Sequence, residues 1–194
     1  MTRDKIFMAA SKLLSQEGIA GLSIRKIAKA AGLSPMGLYR HFADKDALIN
    51  ALMAQGFVAW EARVARIDSP DPVQWLNDFI EAFLAFSLEE PHLFDAAFLL
   101  PATEARQFPD DFAAQRSPSV ALAMTRIDQA KAMGKLGGGT ALNIALTMWA
   151  LGQGLVSLYR AGRFSDETHF KEMYRQTVRD YLTSLATKDM ARTP

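Results

Sequence analysis

The chain has 194 residues, 49% of them hydrophobic, so it can bury a sizeable core, and its 12 glycines and 8 prolines are too few for a disordered chain. No cysteine is present, which excludes a disulfide framework, a thiolate metal site and a Cys nucleophile. The net charge of +1 is unevenly spread: residues 1–46 hold eight Lys/Arg against four Asp/Glu (+4), and residues 47–194 hold fourteen against seventeen (−3), so only the head suits a polyanion.

Ile6, Ala9, Ala10, Leu13 and Leu14 recur at helical spacing and predict a first helix that Gly18 stops. Ser23 predicts an N-cap, with Leu22 and Ile27 as a hydrophobic staple. The second helix carries Ile24, Ile27, Ala28 and Ala31 and ends at Gly32. Ser34-Pro35 opens a third helix reaching about His41, and Asp44 caps a fourth reaching about Arg66. Ile67 to Pro72 reads as a sharp corner or linker. Asp71-Pro72, Ser117-Pro118 and Ser165 mark later starts, for helices over about 73–88, 91–99, 117–133, 140–162 and 166–187. Between them, Pro101 and Pro109 break any long helix, and Gly134 to Ala141 reads as a flexible joint. No strand pattern of useful length and no internal repeat is present. The expected fold is therefore all-α, with about nine helices. A composition shift places a boundary near residue 46, between a basic three-helix head, residues 1–46, and a Phe-, Met- and Leu-rich helical body, residues 47–194, with the fourth helix bridging the two.

The stretch LSIRKIAKAAGLSPMGLYRHFADKDAL, Leu22 to Leu48, is the most informative. Helix, short glycine turn and second helix make a helix-turn-helix, whose second helix enters the major groove when the motif binds DNA. The entering end is Ser34, Pro35, Met36 and Gly37. Gly37 lets the backbone approach closely. Tyr39, Arg40, His41 and Lys45 offer donors and charge to phosphates, as do Ser23 and Lys26 at the start of the second helix. A helical hairpin with a basic wet face also occurs in proteins that never touch DNA.

The same stretch resembles the DNA-binding head of the TetR family of bacterial transcriptional regulators. The matching residues are Ser23, Ile27-Ala28, Ala31-Gly32-Leu33-Ser34, Leu38-Tyr39, His41-Phe42, Lys45-Asp46 and Leu48. Gly37 departs from the pattern, which often has Thr, Ser or Ala there, and leaves readout to Pro35, Met36 and Arg40. The resemblance implies an all-α homodimer with two recognition helices in successive major grooves and a ligand pocket in the C-terminal part. Met148 to Phe164 is similar to the Trp-x-x-x-His-Gly pattern of one C-terminal branch, with Gln153 where that branch often has His.

In the body, Phe79, Phe83 and Phe86 share one helix face, and Phe94 and Phe98 share another. Phe79, Phe83, Phe86, Phe98, Met124, Thr147, Met148 and Gln153 are the candidate lining of an effector pocket; ordinary core is the other reading of the apolar ones. The helix over about 140–162 is apolar around much of its circumference, and the last one carries a stripe of Phe170, Tyr174, Val178, Tyr181, Leu182 and Leu185 between charged residues. They either pack on their own subunit or form a four-helix interface between two; the resemblance favours a homodimer.

His41, His92 and His169 lack metal-ligand spacing, and no phosphate loop or Gly-x-Ser-x-Gly elbow occurs, so no enzyme and no cofactor is expected. No run approaches the ~18 apolar residues of a membrane span, and the N-terminus lacks a signal peptide's pattern, so a cytoplasmic protein is expected. Its expected partners are double-stranded DNA, a small apolar effector and a second copy of itself, with no membrane. The expected function is a ligand-responsive repressor. The competing reading is a helical small-molecule binder or enzyme with no specific DNA target.

Overall fold

The computed structural model describes residues 2–187. In chain order the helices are α1 (Thr2–Gly21), α2 (Ile24–Ala30), α3 (Pro35–Tyr39), α4 (Lys45–Val64), α5 (Pro72–Glu89), α6 (Pro91–Phe98), α7 (Asp110–Ala113), α8 (Pro118–Ala132), α9 (Ala141–Arg160) and α10 (Glu167–Leu185). Among the described residues there is no strand, only an isolated antiparallel bridge between Leu136 and Ala186. The all-α expectation holds.

Most local signals act as read. Ser23 and Ser34 accept from the backbone N–H groups of Lys26 and Gly37, and Asp44 accepts from Ala47 at 2.7 Å. Asp71 accepts from both Val73 and Gln74. Gly18, at φ 65°, breaks the helical path of α1, although helical turns resume as far as Gly21. Three features differ. Ser117 makes no side-chain capping bond. The cap of α10 is Asp166, not Ser165: its carboxylate accepts from His169 N at 2.9 Å. The proline-broken stretch holds one further short helix, α7.

The chain divides into two compact units, one up to Ala62 together with Phe86–Ala105, the other Arg63–Ala85 together with the chain from Arg106 onward. In the first, α1 packs on α2 and α6, and α2 on α3. Its core joins Ile6, Ala10 and Leu14 to Ile27, Ala28, Leu38, Phe42, Leu48 and Leu52. Beside them Trp60 stacks on Phe86 (centroids 5.8 Å apart), which meets Phe94 and Phe98 edge-on.

In the second unit α9 packs against both α8 and α10. Its core includes Trp75, Ile80 and Phe83 of α5, Ile127 of α8, Ile144, Met148 and Val156 of α9, and Phe170, Tyr174 and Val178 of α10. The buried Tyr174 hydroxyl donates to the Ile80 carbonyl at 3.1 Å, and burial pushes that phenol's pKa above its ordinary value. Arg175 grips Glu81 through two nitrogens at 2.8 and 2.9 Å. By length and composition α9 alone, among the described residues, would suffice to cross a membrane. Here Ile144, Ala145, Met148, Gly152 and Val156 are buried within the unit.

Two predictions follow from this packing. A methyl group on Gly56 would lie 2.5 Å from the Leu93 carbonyl oxygen and 2.6 Å from Ala97 N, both backbone atoms of α6. Gly56→Ala should therefore destabilise by about 1–3 kcal/mol, read as a lower urea midpoint; an unchanged midpoint would mean that α4 and α6 separate freely. The second concerns the α10 cap. The His169 N–H bond holds the Asp166 carboxyl below its usual range, and the Asp166 carboxylate holds the His169 imidazole above its ordinary value. The Asp166 contribution is present above its unfolded value and lost as pH falls through its depressed folded one. The His169 contribution is complete below its unfolded value, ~6.5, and lost as pH rises through its raised folded one. Between about pH 6 and 8 the thermal midpoint should fall in the parent chain by more than in His169→Ala.

Candidate nucleic-acid interface and ligand site

α3 is only five residues long, and its surroundings shape it. Gly32, at φ +70°, makes the left-handed turn that ends α2, and Leu33 N donates to the Ala28 carbonyl at 2.8 Å. Ser34, in extended conformation, turns its Oγ back onto Gly37 N at 3.0 Å. Leu38 and Phe42 are buried and fix the inner side. Pro35, Met36, Tyr39, Arg40 and His41 are exposed around the other, Met36 by 70% and Tyr39 by 46%. Gly37 is half-buried, and a methyl group there would lie 3.3 Å from Ser34 Oγ.

The flanking candidates fall into place around this helix's chain neighbours. Lys45 is exposed in the first turn of α4, where free N–H groups favour an anion. Ser23 and Ser34 use oxygen lone pairs for capping, which leaves each O–H available as an outward donor. Lys26 is exposed, but its ammonium is paired with Glu17 of α1. Sequence reasoning passed over that pairing because α1 and α2 meet only in three dimensions. It also passed over Arg3, whose guanidinium lies 5.1 Å from the Phe42 ring centroid and 6.0 Å from that of Phe7. A groove of about 500 Å³ opens between α1 and α2, edged by Lys5, Met8, Lys12, Leu13, Ala30 and Ala31.

The ligand candidates are divided between the units. Phe86 and Phe98 belong to the first, in the aromatic cluster with Trp60. The rest belong to the second. Phe79 stacks on Trp75 at 5.2 Å, and the Arg126 guanidinium lies 5.5 Å from the centroid of that indole. Phe83 and Met148 are buried; Met124 and Thr147 are half-buried. The Thr147 hydroxyl donates to the Asn143 carbonyl one turn back, at 2.8 Å. Both polar atoms of the Gln153 amide are buried without a hydrogen-bond partner in the protein. Outside the predicted set, a cavity of about 10 Å³ lies among Phe108, Phe112, Val120, Leu142, Leu146 and Trp149. The available signal was the spacing of Phe108 and Phe112, one helical turn apart across Pro109. Among the described residues no group of three or more His, Asp or Glu is placed to hold a metal.

The family model for bacterial regulatory proteins of the tetR family matches residues 6–52, and that for the tetracyclin repressor-like C-terminal domain matches residues 76–181, over half the chain. This chain belongs to the TetR family. Over 89 residues it is 32% identical to the HTH-type transcriptional regulator UidR of Escherichia coli K12, covering 45% of this chain and 44% of that one. Over 94 residues it is 34% identical to the nucleoid occlusion factor SlmA of Aliivibrio fischeri, covering 47% and 48%. The chain thus spans about half the length of the curated relatives it matches. A solved structure of a protein of unknown function from Rhodococcus sp. RHA1 superposes with a TM-score of 0.75 at 25% identity, covering 96% of both chains. A TetR transcription regulator from Haloarcula marismortui superposes with a TM-score of 0.75 at 21% identity, covering 96% and 98%, and shares the fold.

Every candidate DNA contact of this TetR-family chain falls inside the N-terminal match, and every ligand candidate inside the C-terminal one. The Ser34 cap is the local bond on which α3 turns. Ser34→Ala should cost about 1 kcal/mol of stability, read by chemical unfolding, while Ser34→Asp, which can still accept from Gly37 N, should restore most of it.

Proposed function

We propose that this TetR-family member is a ligand-responsive DNA-binding transcriptional regulator, a repressor released from a palindromic operator by a small apolar effector. Residues 1–46 are the DNA-binding domain and residues 47–194 the ligand-binding and dimerisation domain. The observation that carries the reading is α3: a short helix anchored by Leu38 and Phe42 that turns Met36, Tyr39 and Arg40 to solvent. The name of the E. coli relative, an HTH-type transcriptional regulator, supports the same assignment.

In this reading two copies associate through the last two helices, α9 and α10. Their recognition helices lie ~34–36 Å apart, or a multiple of one DNA turn, to meet successive major grooves. Tyr39, Arg40, His41, Lys45, Ser23 and Lys26 hold phosphates and set the register; Ser34, Pro35, Met36 and Gly37 approach the bases. Lys26 leaves Glu17 to do so. The effector acts by binding better to the form with the wrong spacing, since a ligand with equal affinity for both forms shifts nothing. A coupling of ~1–3 kcal/mol suffices for a useful switch. The protein works in the cytoplasm, beside its DNA, and no chemical step on a substrate is assigned to it.

Fluorescence anisotropy with genomic fragments tests this. One short palindrome should be retained, with log K falling against log salt by about 0.9 per neutralised phosphate. Tyr39→Phe and Lys45→Ala should each weaken operator binding broadly without lowering the thermal midpoint, and Lys45→Ala should reduce the salt slope by about one contact. Flat binding across all sequences would refute the assignment, and full affinity in either variant would refute the phosphate contacts.

A further inference from the structure

Leu142, Leu146, Trp149 and Gln153 are spaced 4, 3 and 4 along α9, so they form one stripe on its surface. The first three line the small apolar cavity, facing Phe108, Phe112 and Val120. Gln153 comes one turn further along. Its Oε1 and Nε2 are both buried, and no protein group bonds to either. The neighbouring stripe shows the contrast: beside Gly152 the buried Tyr174 hydroxyl donates to Ile80. A buried amide with nothing to bond destabilises a fold, and a leucine of similar size would carry no such penalty. The position therefore holds a group that the folded chain alone does not use.

We propose that Gln153 is the polar anchor of the effector site, and that the effector presents to it a neutral group with a donor beside an acceptor, a carboxamide or a lactam, on an apolar body lying along Leu142, Leu146 and Trp149. This rests on the effector-binding reading above. A primary amide offers one acceptor and two donors side by side, so its complement is another amide edge. The group is neutral because its partner amide is uncharged and no lining side chain of the adjoining cavity is ionisable. The cavity holds about one water, so the effector's body enters by displacing what closes it. On that side lies the four-residue α7, with Phe112 packed 5.9 Å from the Trp149 ring, preceded by Phe108, 45% exposed.

The test uses the full-length ¹⁵N-labelled protein, with hexanamide as probe and 2-heptanone, an acceptor-only molecule of matched size, as control. The Gln153 side-chain NH₂ signals are identified by their loss in Gln153→Leu. They should shift saturably with hexanamide, which should bind about tenfold tighter than 2-heptanone. Gln153→Leu should abolish that preference and raise the thermal midpoint of the unliganded protein. Phe112→Ala should tighten both compounds and keep the preference. Equal affinity for the two compounds, no binding of either, a preference that survives Gln153→Leu, or a lowered midpoint in that variant would overturn the proposal. Operator release is measured separately. An anchored probe that leaves the operator occupied counts against the regulatory reading and not the anchor. Release by some other compound with no response at Gln153 counts against the anchor alone.

Discussion

The burial of Leu38 is the constraint on which the rest of the head depends. Five residues cannot form a stable helix in water, because nucleation costs more than one turn of hydrogen bonds returns. α3 exists because Leu38, fully buried, and Phe42 belong to a core that also holds Ile27, Ala28 and Leu48. The left-handed turn at Gly32 and the Ser34 cap then decide only where the helix begins. Removing the anchor would let Met36, Tyr39 and Arg40 keep their chemistry but lose any common geometry. Phosphate contacts work by fixing register, so a reading surface is only as good as the core beneath it.

The second unit meets the opposite demand. Its α5–α10 contact is locked by the Tyr174–Ile80 hydrogen bond and the bidentate Arg175–Glu81 pair. Gly152 makes room for this lock: a Cβ there would sit 2.9 Å from Tyr174 Oη and 3.5 Å from the Phe83 ring. Next to it, Gln153 has polar atoms without partners. One turn of α9 thus carries a satisfied, rigid side and an unsatisfied one. Functional sites concentrate on such local departures, because a fold stabilised elsewhere tolerates the cost.

What was legible in the sequence follows the range of the forces involved. Ser23, Ser34, Asp44 and Asp71 cap as read, because capping is decided within three residues. The helical spacing of Phe79, Phe83 and Phe86 was equally plain, yet Phe86 stacks on Trp60 in the first unit, and Phe83 belongs to the core of the second. Periodicity gives a face, not the neighbour that meets it. Ser165 was read as the cap of the last helix, and the adjacent Asp166 carboxylate, the stronger acceptor at a helix N-terminus, took that place instead. α7 was hidden because Pro109 breaks a helix from within but opens one from its edge. The Lys26–Glu17 pair joins two helices and leaves no mark in either one's pattern.

Gly37 ties the architecture of the head to what it can read. Any side chain there would bring Cβ within 3.3 Å of the Ser34 oxygen that caps the same helix. Such a contact is tight rather than forbidden, so a larger residue gains a base or phosphate contact only by crowding the cap. Glycine resolves the conflict in favour of the cap. The price is that the leading edge of α3, Pro35, Met36 and Gly37, contains no side-chain hydrogen-bond donor. The exposed Met36 thioether suits apolar contact, and in the major groove the apolar landmark is the thymine methyl group. The polar side chains that flank this edge in the chain are Ser34, whose Oγ is engaged as the cap acceptor, Tyr39 and Arg40.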